Sequence, residues 1–151
     1  ALRTPHSAFR RMGTPFCTSR MVEFHDTDMA GIMHFSAFFQ YMEMAEHELL
    51  RDLGFSVYSR IDGEHVSFPR VAASCEYHAP VRCEDQLGIE VRVVRVGEKS
   101  ITYGFRFMHD GRDVATGSMT SVCCRVEPGN PPQPTPIPTE MAAKLREHMS
   151  D

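Results

Sequence analysis

The chain has 151 residues, with 16 Lys and Arg against 20 Asp and Glu and a formal net charge of −4. This length suits one domain with a core of its own. The acidic balance excludes nucleic acid as the expected partner, because binding phosphate requires a basic surface. No stretch approaches the ~18 consecutive apolar residues of a membrane span, so no membrane partner is expected.

The first segment and the cysteines indicate the compartment. Residues 1–14 are basic and lack the apolar stretch of a secretory signal, which predicts a flexible lead-in and a cytoplasmic protein. The cysteines are odd in number and without C-x-x-C spacing, which predicts buried reduced thiols rather than disulfides or metal ligands. They are Cys17, Cys75, Cys83, Cys123 and Cys124.

A single long helical pattern dominates the first half of the chain. A strand is predicted over residues 16–24, followed by an acidic turn and a helix over residues 36–53. Ser36 is the expected N-cap, and Gly54 stands where a C-terminal glycine stop belongs. One helical face is apolar, with members spaced by three or four residues. They are Phe35, Phe38, Phe39, Met42, Ala45 and Leu49.

The second half of the chain has the period of strands. Strands are predicted over residues 71–79, 87–96, 101–107 and 114–126, with hairpin turns at 97–100 and 110–111 and a bulge at Val94. Residues 55–68 form a connection of mixed character, and the proline-rich run after residue 127 predicts an extended strap that does not pair in a sheet. A short helix is expected over residues 139–149.

This order predicts an α+β domain at residues 15–127, in which a sheet wraps around one helix. The four long strands are expected to be successive antiparallel neighbours. Residues 128–151 form the strap and the short C-terminal helix. Because one helix covers only one face of such a sheet, an edge or the opposite face is expected to pair with another subunit.

The acidic turn before the helix carries the candidate chemistry. Asp26 and Asp28 alternate along the chain, so at most one is expected to face a pocket. A carboxylate here can act as a base or a nucleophile, while free N–H groups at the helix start stabilise an oxyanion. Together they could hydrolyse an activated ester. The alternative is that both carboxylates only cap the helix and support the turn.

Other polar residues around the helix admit two interpretations. His25 and His34 could form a metal set with Asp28, but their separation of nine residues matches no short ligand spacing. We therefore expect no metal, and expect His34 to line the substrate entrance or to bond a backbone carbonyl. Glu46 on the apolar face and Glu43 at its edge are either members of structural ion pairs or acids that orient the substrate.

Four basic residues are assigned to the hairpin that follows residue 96. They are Lys99, Arg92, Arg95 and Arg106. Either they are solvated charges, or they hold the phosphates of a nucleotide-bearing substrate.

The segment VEFHDTDMAGI at residues 22–32, followed by the aromatic helix ending Glu43-Met44-Ala45, resembles the 4-hydroxybenzoyl-CoA thioesterase family of hotdog-fold proteins. The likeness continues through Tyr77-x-x-Pro80 and covers residues 15–126. It implies a five-stranded antiparallel sheet wrapped around a central helix. It further implies a homodimer or tetramer that hydrolyses acyl-CoA thioesters, without a cofactor, at sites formed across the subunit interface.

The resemblance also implies roles for individual residues. Asp28 would be the catalytic carboxylate, the backbone N–H of Phe35 would polarise the thioester carbonyl, and Lys99 would contact the CoA nucleotide. Relatives carry Tyr-His just before the helix, so any role of that histidine falls here to His34 or is absent. Asp26 is assigned to turn support. Further substrate contacts are expected from Gly31, Phe38, Phe39, Met42 and Glu43. The alternative function is a protein of this fold that binds acyl-CoA or an acyl carrier without hydrolysing it.

Overall fold

The structure is a computed structural model that describes residues 13–61 and 63–149. Residues 1–12 of the predicted lead-in at residues 1–14 therefore lie outside the described residues. In chain order the elements are β1 (Phe16–Met21), a 3-10 turn (Phe24–Asp26), α1 (Ala37–Asp52), β2 (Ser59–Ile61), β3 (Glu64–Ser67), β4 (Arg70–Tyr77), β5 (Gln86–Val96), β6 (Ser100–His109), β7 (Arg112–Val122), β8 (Cys124–Val126), β9 (Gln133–Pro134) and α2 (Thr139–Glu147).

The main sheet has five antiparallel strands in the order β1-β5-β6-β7-β4. The expected sheet around one long helix is therefore confirmed. The expectation that the four long strands are successive neighbours is wrong at β4, which pairs with β7 instead of β5. Between β1 and β4 the chain runs through α1, so β4 enters the sheet at the edge opposite β1. As a consequence, β4 is an edge strand.

The core lies between α1 and the concave face of this sheet. The alternating residues of β5 and β6 point inward and are almost fully buried, as their pattern predicts. They are Leu87, Ile89, Val91, Val93, Ile101, Tyr103, Phe105 and Phe107. The predicted bulge near Val94 is also present, as a register shift between Val93 and Arg95.

Helix α1 matches its prediction closely, with Ser36 at the N-cap position and Gly54 at φ 86° after its end. Phe38, Met42, Ala45 and Leu49 are buried as expected. Phe35 was expected on the buried face but is 61% exposed, because it lies in the turn before the helix begins.

The first strand is shorter than predicted and ends at Met21. Val22 is buried, and its N–H and carbonyl bond the backbone of Asp85 and Glu84. Phe24, the last residue of the predicted strand over residues 16–24, lies outside β1 and is 83% exposed. The reason is that Phe24 begins a 3-10 turn, so the strand alternation has stopped before it.

Four short strands form a second sheet with the order β2-β3-β8-β9. The mixed connection at residues 55–68 thus contains two short strands. The predicted last strand is interrupted at Cys123 and continues as β8 in this second sheet. The expectation that the proline-rich strap cannot pair is wrong over two residues, since Gln133 and Pro134 pair with β8. Pro134 is tolerated there because β9 is an edge strand.

The five cysteines are all free thiols, but the prediction that all are buried is wrong. Cys123 and Cys124 are buried, whereas Cys17 and Cys83 are exposed and Cys75 is intermediate. Among the described residues, no helix is long and apolar enough to cross a membrane.

Candidate active site

A small hairpin-like loop joins the acidic turn to the start of α1. Thr27 and Met33 form an antiparallel bridge, and the Asp28 N–H donates to the Ile32 carbonyl at 2.9 Å. Gly31 at the tip has φ 73°, in the left-handed region that glycine adopts without strain. Its N–H donates to the Asp28 carbonyl at 3.0 Å. These bonds fix the backbone that carries the Asp28 side chain.

A cavity of about 470 Å³ opens beside this loop. Three predicted site residues lie on its wall, namely Asp28, Phe35 and Phe38. The other lining residues come from the loop and from the end of β4 and the segment after it: Ile32, Met33, Tyr77, His78, Ala79, Pro80 and Val81. Its volume lies within the range of about 300–1,000 Å³ typical of small-ligand sites. The arrangement puts one carboxylate at the edge of a largely apolar cavity.

The Asp28 carboxylate is exposed and only partly engaged. Its Oδ1 accepts the Ala30 N–H at 2.8 Å, in the manner of an Asx turn. No hydrogen bond to its Oδ2 is formed within residues 13–61 and 63–149. The carboxylate is therefore oriented by the loop and keeps one oxygen for a substrate or a water molecule.

The start of α1 offers a backbone donor to the same cavity. The His34 N–H bonds the Asp26 carbonyl at 2.7 Å, and the Ala37 N–H bonds the His34 carbonyl at 3.0 Å. Between them, the Phe35 N–H has no hydrogen-bond acceptor in the described part of the chain. An unused N–H at a helix start can bind a developing oxyanion.

Tyr77 closes the cavity on the sheet side and was not among the predicted site residues. Its hydroxyl donates to the Phe35 carbonyl at 2.8 Å, and its ring packs edge-on against Phe38 with centroids 5.3 Å apart. Burial raises the pKa of Tyr77 to about 12, so the hydroxyl remains a donor near neutral pH. The neighbouring His78 Nε2 lies 3.2 Å from Thr116 Oγ1. The one feature of the sequence that could have indicated Tyr77 and His78 is their position at the end of a predicted strand, just before Pro80.

His34 and Asp26 lie just behind the wall. His34 Nδ1 is 2.7 Å from Ser36 Oγ, and its ring lies 4.5 Å from that of Phe35. Asp26 is 4% exposed and accepts the Tyr41 hydroxyl at 2.6 Å, which fits the turn-supporting role predicted for it. His34 is not one of the residues that line the cavity.

The possible metal set of His25, Asp28 and His34 is not brought together. In the described part of the chain, no group of three or more His, Cys, Asp or Glu side chains could hold a metal ion.

Three residues expected to contact the substrate lie away from this cavity wall. Met42 is fully buried in the core, where it faces Gly117 of β7. Phe39 is partly buried against the same core, and Gly31 stays at the exposed tip of the loop. The apolar face of α1 therefore supplies one wall residue, Phe38, and otherwise serves the core.

Two glutamates of α1, Glu43 and Glu46, meet Arg70 at the start of β4. Glu46 is 1% exposed, and its carboxylate lies 2.7 Å from Arg70 Nη2. Glu43 is exposed and lies 3.6 Å from the same nitrogen. Glu46 is therefore a structural ion pair, the first of its two predicted interpretations. A second cavity, of about 350 Å³, is lined by Glu43, His47, Val57, Tyr58, Ser67, Phe68, Pro69 and Arg70.

Lys99 lies at the opposite end of the sheet from the Asp28 cavity. Tyr77 pairs with Ala115, whereas Arg70 and Ile101, next to the Lys99 hairpin, both pair with Ser121. The six residue-to-residue steps from Ala115 to Ser121 span about 20 Å. A ligand held at Asp28 would therefore have to extend about 20 Å along the sheet to contact Lys99 of its own subunit.

The basic residues named with Lys99 are dispersed. Arg106 is paired with Asp113 and Glu90, toward the other end of β6. It therefore does not belong to the hairpin cluster. Arg92 lies 3.9 Å from Glu90, and Arg95 is exposed near the hairpin.

Comparison with known proteins places the fold and the loop in a family context. The sequence profile of the thioesterase-like superfamily matches residues 22–145, which include the loop, α1 and every strand of the main sheet except β1. The narrower 4-hydroxybenzoyl-CoA grouping expected from the motif is not what the comparison returns.

Curated relatives and solved structures agree with this match. The chain is 30% identical to a 1,4-dihydroxy-2-naphthoyl-CoA hydrolase of Synechococcus elongatus over 105 residues, covering 69% of this chain and 77% of the relative. It is 25% identical to the acyl-CoA thioester hydrolase YbgC of Escherichia coli, covering 83% and 92%. The structure of a gentisyl-coenzyme A thioesterase superposes with a TM-score of 0.76 at 28% identity, covering 86% of this chain and 99% of that one.

Proposed function

Because the chain belongs to the thioesterase-like superfamily, we propose that it hydrolyses an acyl-CoA thioester with Asp28 as the catalytic carboxylate. The enzyme is a hotdog-fold thioester hydrolase that releases a free acid and CoA. The observation that carries the role of Asp28 is its position on the wall of the same cavity as the unused N–H of Phe35.

The carboxylate serves either of two routes. In the first, an Asp28 oxygen bonds the thioester carbonyl carbon, the C–S bond breaks, CoA leaves as a thiolate, and water hydrolyses the mixed anhydride. In the second, Asp28 removes a proton from a water molecule as the water oxygen bonds the same carbon; the C–S bond then breaks, and CoA leaves as a thiolate that takes up the proton. Both routes need the free carboxylate oxygen that the loop leaves available.

The Phe35 N–H supports both routes equally. The carbonyl oxygen of the thioester gains negative charge as the carbonyl carbon is attacked, and an N–H at the helix start stabilises that charge. Removing one such donor from an enzyme typically costs about 3 kcal/mol of transition-state stabilisation. The Tyr77 hydroxyl holds the Phe35 carbonyl, which lies on the other side of the Phe35 Cα from the N–H, and so restrains the backbone of this residue.

An Asp28→Asn variant tests the assignment. We expect thiol release from a panel of acyl-CoAs to fall at least about 100-fold in kcat, because the amide is neither a base nor a nucleophile. The matched control is Asp52→Asn, an exposed aspartate at the other end of α1. Full turnover by folded Asp28→Asn protein would refute the assignment. Acyl-CoA binding by the wild type without any thiol release would favour the non-hydrolytic alternative.

The acyl group is proposed to be aromatic. The cavity is walled by Phe35, Phe38 and Tyr77, whose rings can stack on an aryl group or meet it edge-on. Two of the similar proteins are a 1,4-dihydroxy-2-naphthoyl-CoA hydrolase and a gentisyl-coenzyme A thioesterase. In the same panel, benzoyl- and naphthoyl-CoA should exceed hexanoyl- and palmitoyl-CoA in kcat/KM. Higher kcat/KM values for the two aliphatic acyl-CoAs would refute the proposed aromatic acyl group and leave the role of Asp28 untouched.

The site is proposed to be completed by a second copy of the chain. Strand β4 is an edge strand, and most of its residues are exposed, with Val71 at 63% and Tyr77 at 46%. Antiparallel pairing of two β4 edges would continue the sheet across a dimer. It would also bring the start of one β4 next to the end of the other.

In that dimer the Asp28 cavity of one subunit would face residues at the Arg70 end of its partner. These include Glu43 on the wall of the second cavity and Lys99 on the hairpin. Glu43 would then orient the acyl group, and Lys99 would contact the CoA phosphates. The dimer thus accounts for the two predicted substrate contacts that lie far from Asp28 within one subunit.

A further inference from the structure

Asp26 is a buried carboxylate that the proposed reaction does not use. It is 4% exposed. The His25 imidazole lies beside it, with Nε2 3.5 Å from Asp26 Oδ1, and the His25 side chain is 81% exposed. A carboxylate withdrawn from water is stable only if hydrogen bonds satisfy it. Its retention two residues from Asp28 therefore calls for a physical reason.

The hydrogen bonds to this carboxylate come from two other elements. Its Oδ2 accepts the Glu23 N–H at 3.0 Å and the Tyr41 hydroxyl at 2.6 Å. Tyr41 is 3% exposed and stands on the second turn of α1. Burial, together with the hydrogen bond to Asp26, raises the pKa of Tyr41, so its hydroxyl keeps its proton and remains the donor. The side chain of Asp26 is thus bonded to the body of the helix.

The backbone of Asp26 holds the other end of the loop. Its carbonyl accepts the His34 N–H at 2.7 Å. The loop from residue 26 to residue 34 is therefore closed at Asp26, with Asp28 inside it and Phe35 immediately after it. Any rotation of Asp26 away from Tyr41 would move the carboxylate of Asp28 relative to the Phe35 N–H.

We infer that the Asp26–Tyr41 pair positions the catalytic loop, holding the Asp28 carboxylate and the Phe35 N–H at the separation that the reaction requires. Both are positioning residues, and neither touches the substrate. The inference rests on the proposed role of Asp28. It assigns to Tyr41, which lines no part of the Asp28 cavity, a specific effect on turnover.

The variant Tyr41→Phe removes one oxygen atom and tests the inference. We expect kcat to fall about 10- to 100-fold, since a misplacement near 1 Å can cost a reacting pair about 100-fold. KM should stay within about twofold, because the cavity wall is unchanged. The measurement is thiol release with the preferred acyl-CoA, at a temperature where circular dichroism shows each variant to be folded.

Two further variants make the test specific. The matched control is Tyr103→Phe, a fully buried tyrosine whose hydroxyl has no hydrogen-bond partner in the described structure, and it should retain wild-type kcat. Asp26→Asn should lower kcat as Tyr41→Phe does. The double variant should be no slower than the slower single variant, because both changes act on the same bond. Tyr41→Phe removes its donor, and Asp26→Asn replaces its charged acceptor with a neutral amide oxygen.

Several outcomes would overturn the inference. One is wild-type kcat in Tyr41→Phe, and another is a raised KM at unchanged kcat. Losses that multiply in the double variant, or a Tyr41→Phe protein that does not fold, would also contradict it, because the pair would then act separately or serve the fold alone. Asp28→Asn distinguishes a failure of the proposed function from a failure of this inference. An active Asp28→Asn variant refutes the proposed function. An inactive Asp28→Asn variant together with a fully active Tyr41→Phe variant refutes only the role of the Asp26–Tyr41 pair.

Discussion

At the scale of single residues, Glu46 shows how the core accommodates a charge. Its carboxylate lies under α1 beside Arg70, which also donates to Ser121 Oγ at 2.8 Å and to the Phe68 carbonyl at 3.2 Å. Burial raises the pKa of Glu46 to about 7, although the nearby Arg70 charge lowers it. In this case the cost of removing the carboxylate from water exceeds the attraction of its partner.

This raised pKa predicts a pH dependence of stability. The folded state holds the Glu46 proton up to about pH 7, whereas the unfolded chain releases it near 4.5. The free energy of unfolding should therefore fall as pH rises between these values and level off above them. The fall assigned to Glu46 is about 3 kcal/mol, from about 1.4 kcal/mol per pKa unit.

Urea unfolding of wild type and Glu46→Gln from pH 4.5 to 8 measures this contribution. The wild-type free energy, taken relative to that of the variant, should decline by about 3 kcal/mol across the window, since glutamine does not titrate there. Glu140→Gln, at an exposed position of α2, is the control and should run parallel to the wild type. If the free energy of unfolding of Glu46→Gln also ran parallel to that of the wild type across this pH range, burial would not govern the protonation of Glu46.

At the scale of elements, α1 packs the Met42 side chain directly against Gly117 of β7. A Cβ atom added to Gly117 would lie 2.4 Å from Met42 Sδ and 3.1 Å from the Ser74 carbonyl oxygen. Real Cβ atoms do not tolerate such distances, and Met42 is fully buried, so it has little room to move. Gly117 is thus required by the packing of the helix on the sheet.

Gly117→Ala is therefore expected to destabilise the protein by about 1–3 kcal/mol, the usual cost of overpacking a core. The midpoint of urea denaturation measures the change. Gly88→Ala in β5 is the matched control, because the nearest atoms to its added Cβ are at 3.8 Å, which is ordinary contact. Equal stability of the two variants would mean that the contact between α1 and β7 is loose.

The elements also show how far the sequence alone leads. Periodicity predicts α1 and the strands β5 and β6 because one face of each is buried against the core. The same reasoning predicts β4 as a strand but not its pairing with β7. It fails at Phe35 and Phe24, which lie in turns, where no period applies. The second sheet escapes prediction because its strands have only two to four residues.

The candidate site divides in the same way. Asp28, Phe35 and Phe38 follow from a local motif, since the loop and the helix that carry them are adjacent in sequence. Tyr77 and His78 reach the cavity through the pairing of β4 with β7. That pairing depends on strand order, which neither composition nor spacing reveals. Met42 was assigned to the pocket from the same helical face that builds the core, and position on a face does not separate the two roles.

At the scale of the whole molecule, the proposed dimer pairs two copies of the chain along the free edge of β4. A second copy paired along this edge would bury Val71. Val71→Glu should then weaken dimerisation at least about 100-fold, because burying an unpaired carboxylate costs about 3–5 kcal/mol. Sedimentation across a concentration series measures this. Val94→Glu, at a valine that is 55% exposed on β5, is the control and should leave the mass unchanged. A Val71→Glu protein with wild-type mass would exclude this edge as the interface.

The same dimer predicts that the two ends of the sheet cooperate between subunits. Asp28→Asn should be inactive, and Lys99→Glu should raise KM by placing a negative charge beside the CoA phosphates. In a 1:1 mixture allowed to exchange subunits, half the dimers are heterodimers in which one cavity combines both defects and the other has none. About a quarter of all sites are then intact, and activity at low substrate should recover toward about a quarter of the wild-type value.

This recovery shows whether Lys99 serves the cavity of the partner subunit or that of its own subunit. Two defective chains can produce an intact site only if Lys99 contacts the partner's cavity. Mixing Asp28→Asn with wild type gives the baseline for subunit dilution. If the mixture of variants shows only the mean of its two parents, Lys99 acts within its own subunit or not at all. The Asp28 end and the Lys99 end of the sheet are about 20 Å apart along β7. If Lys99 acts within its own subunit, the substrate must therefore extend along the sheet rather than across the dimer.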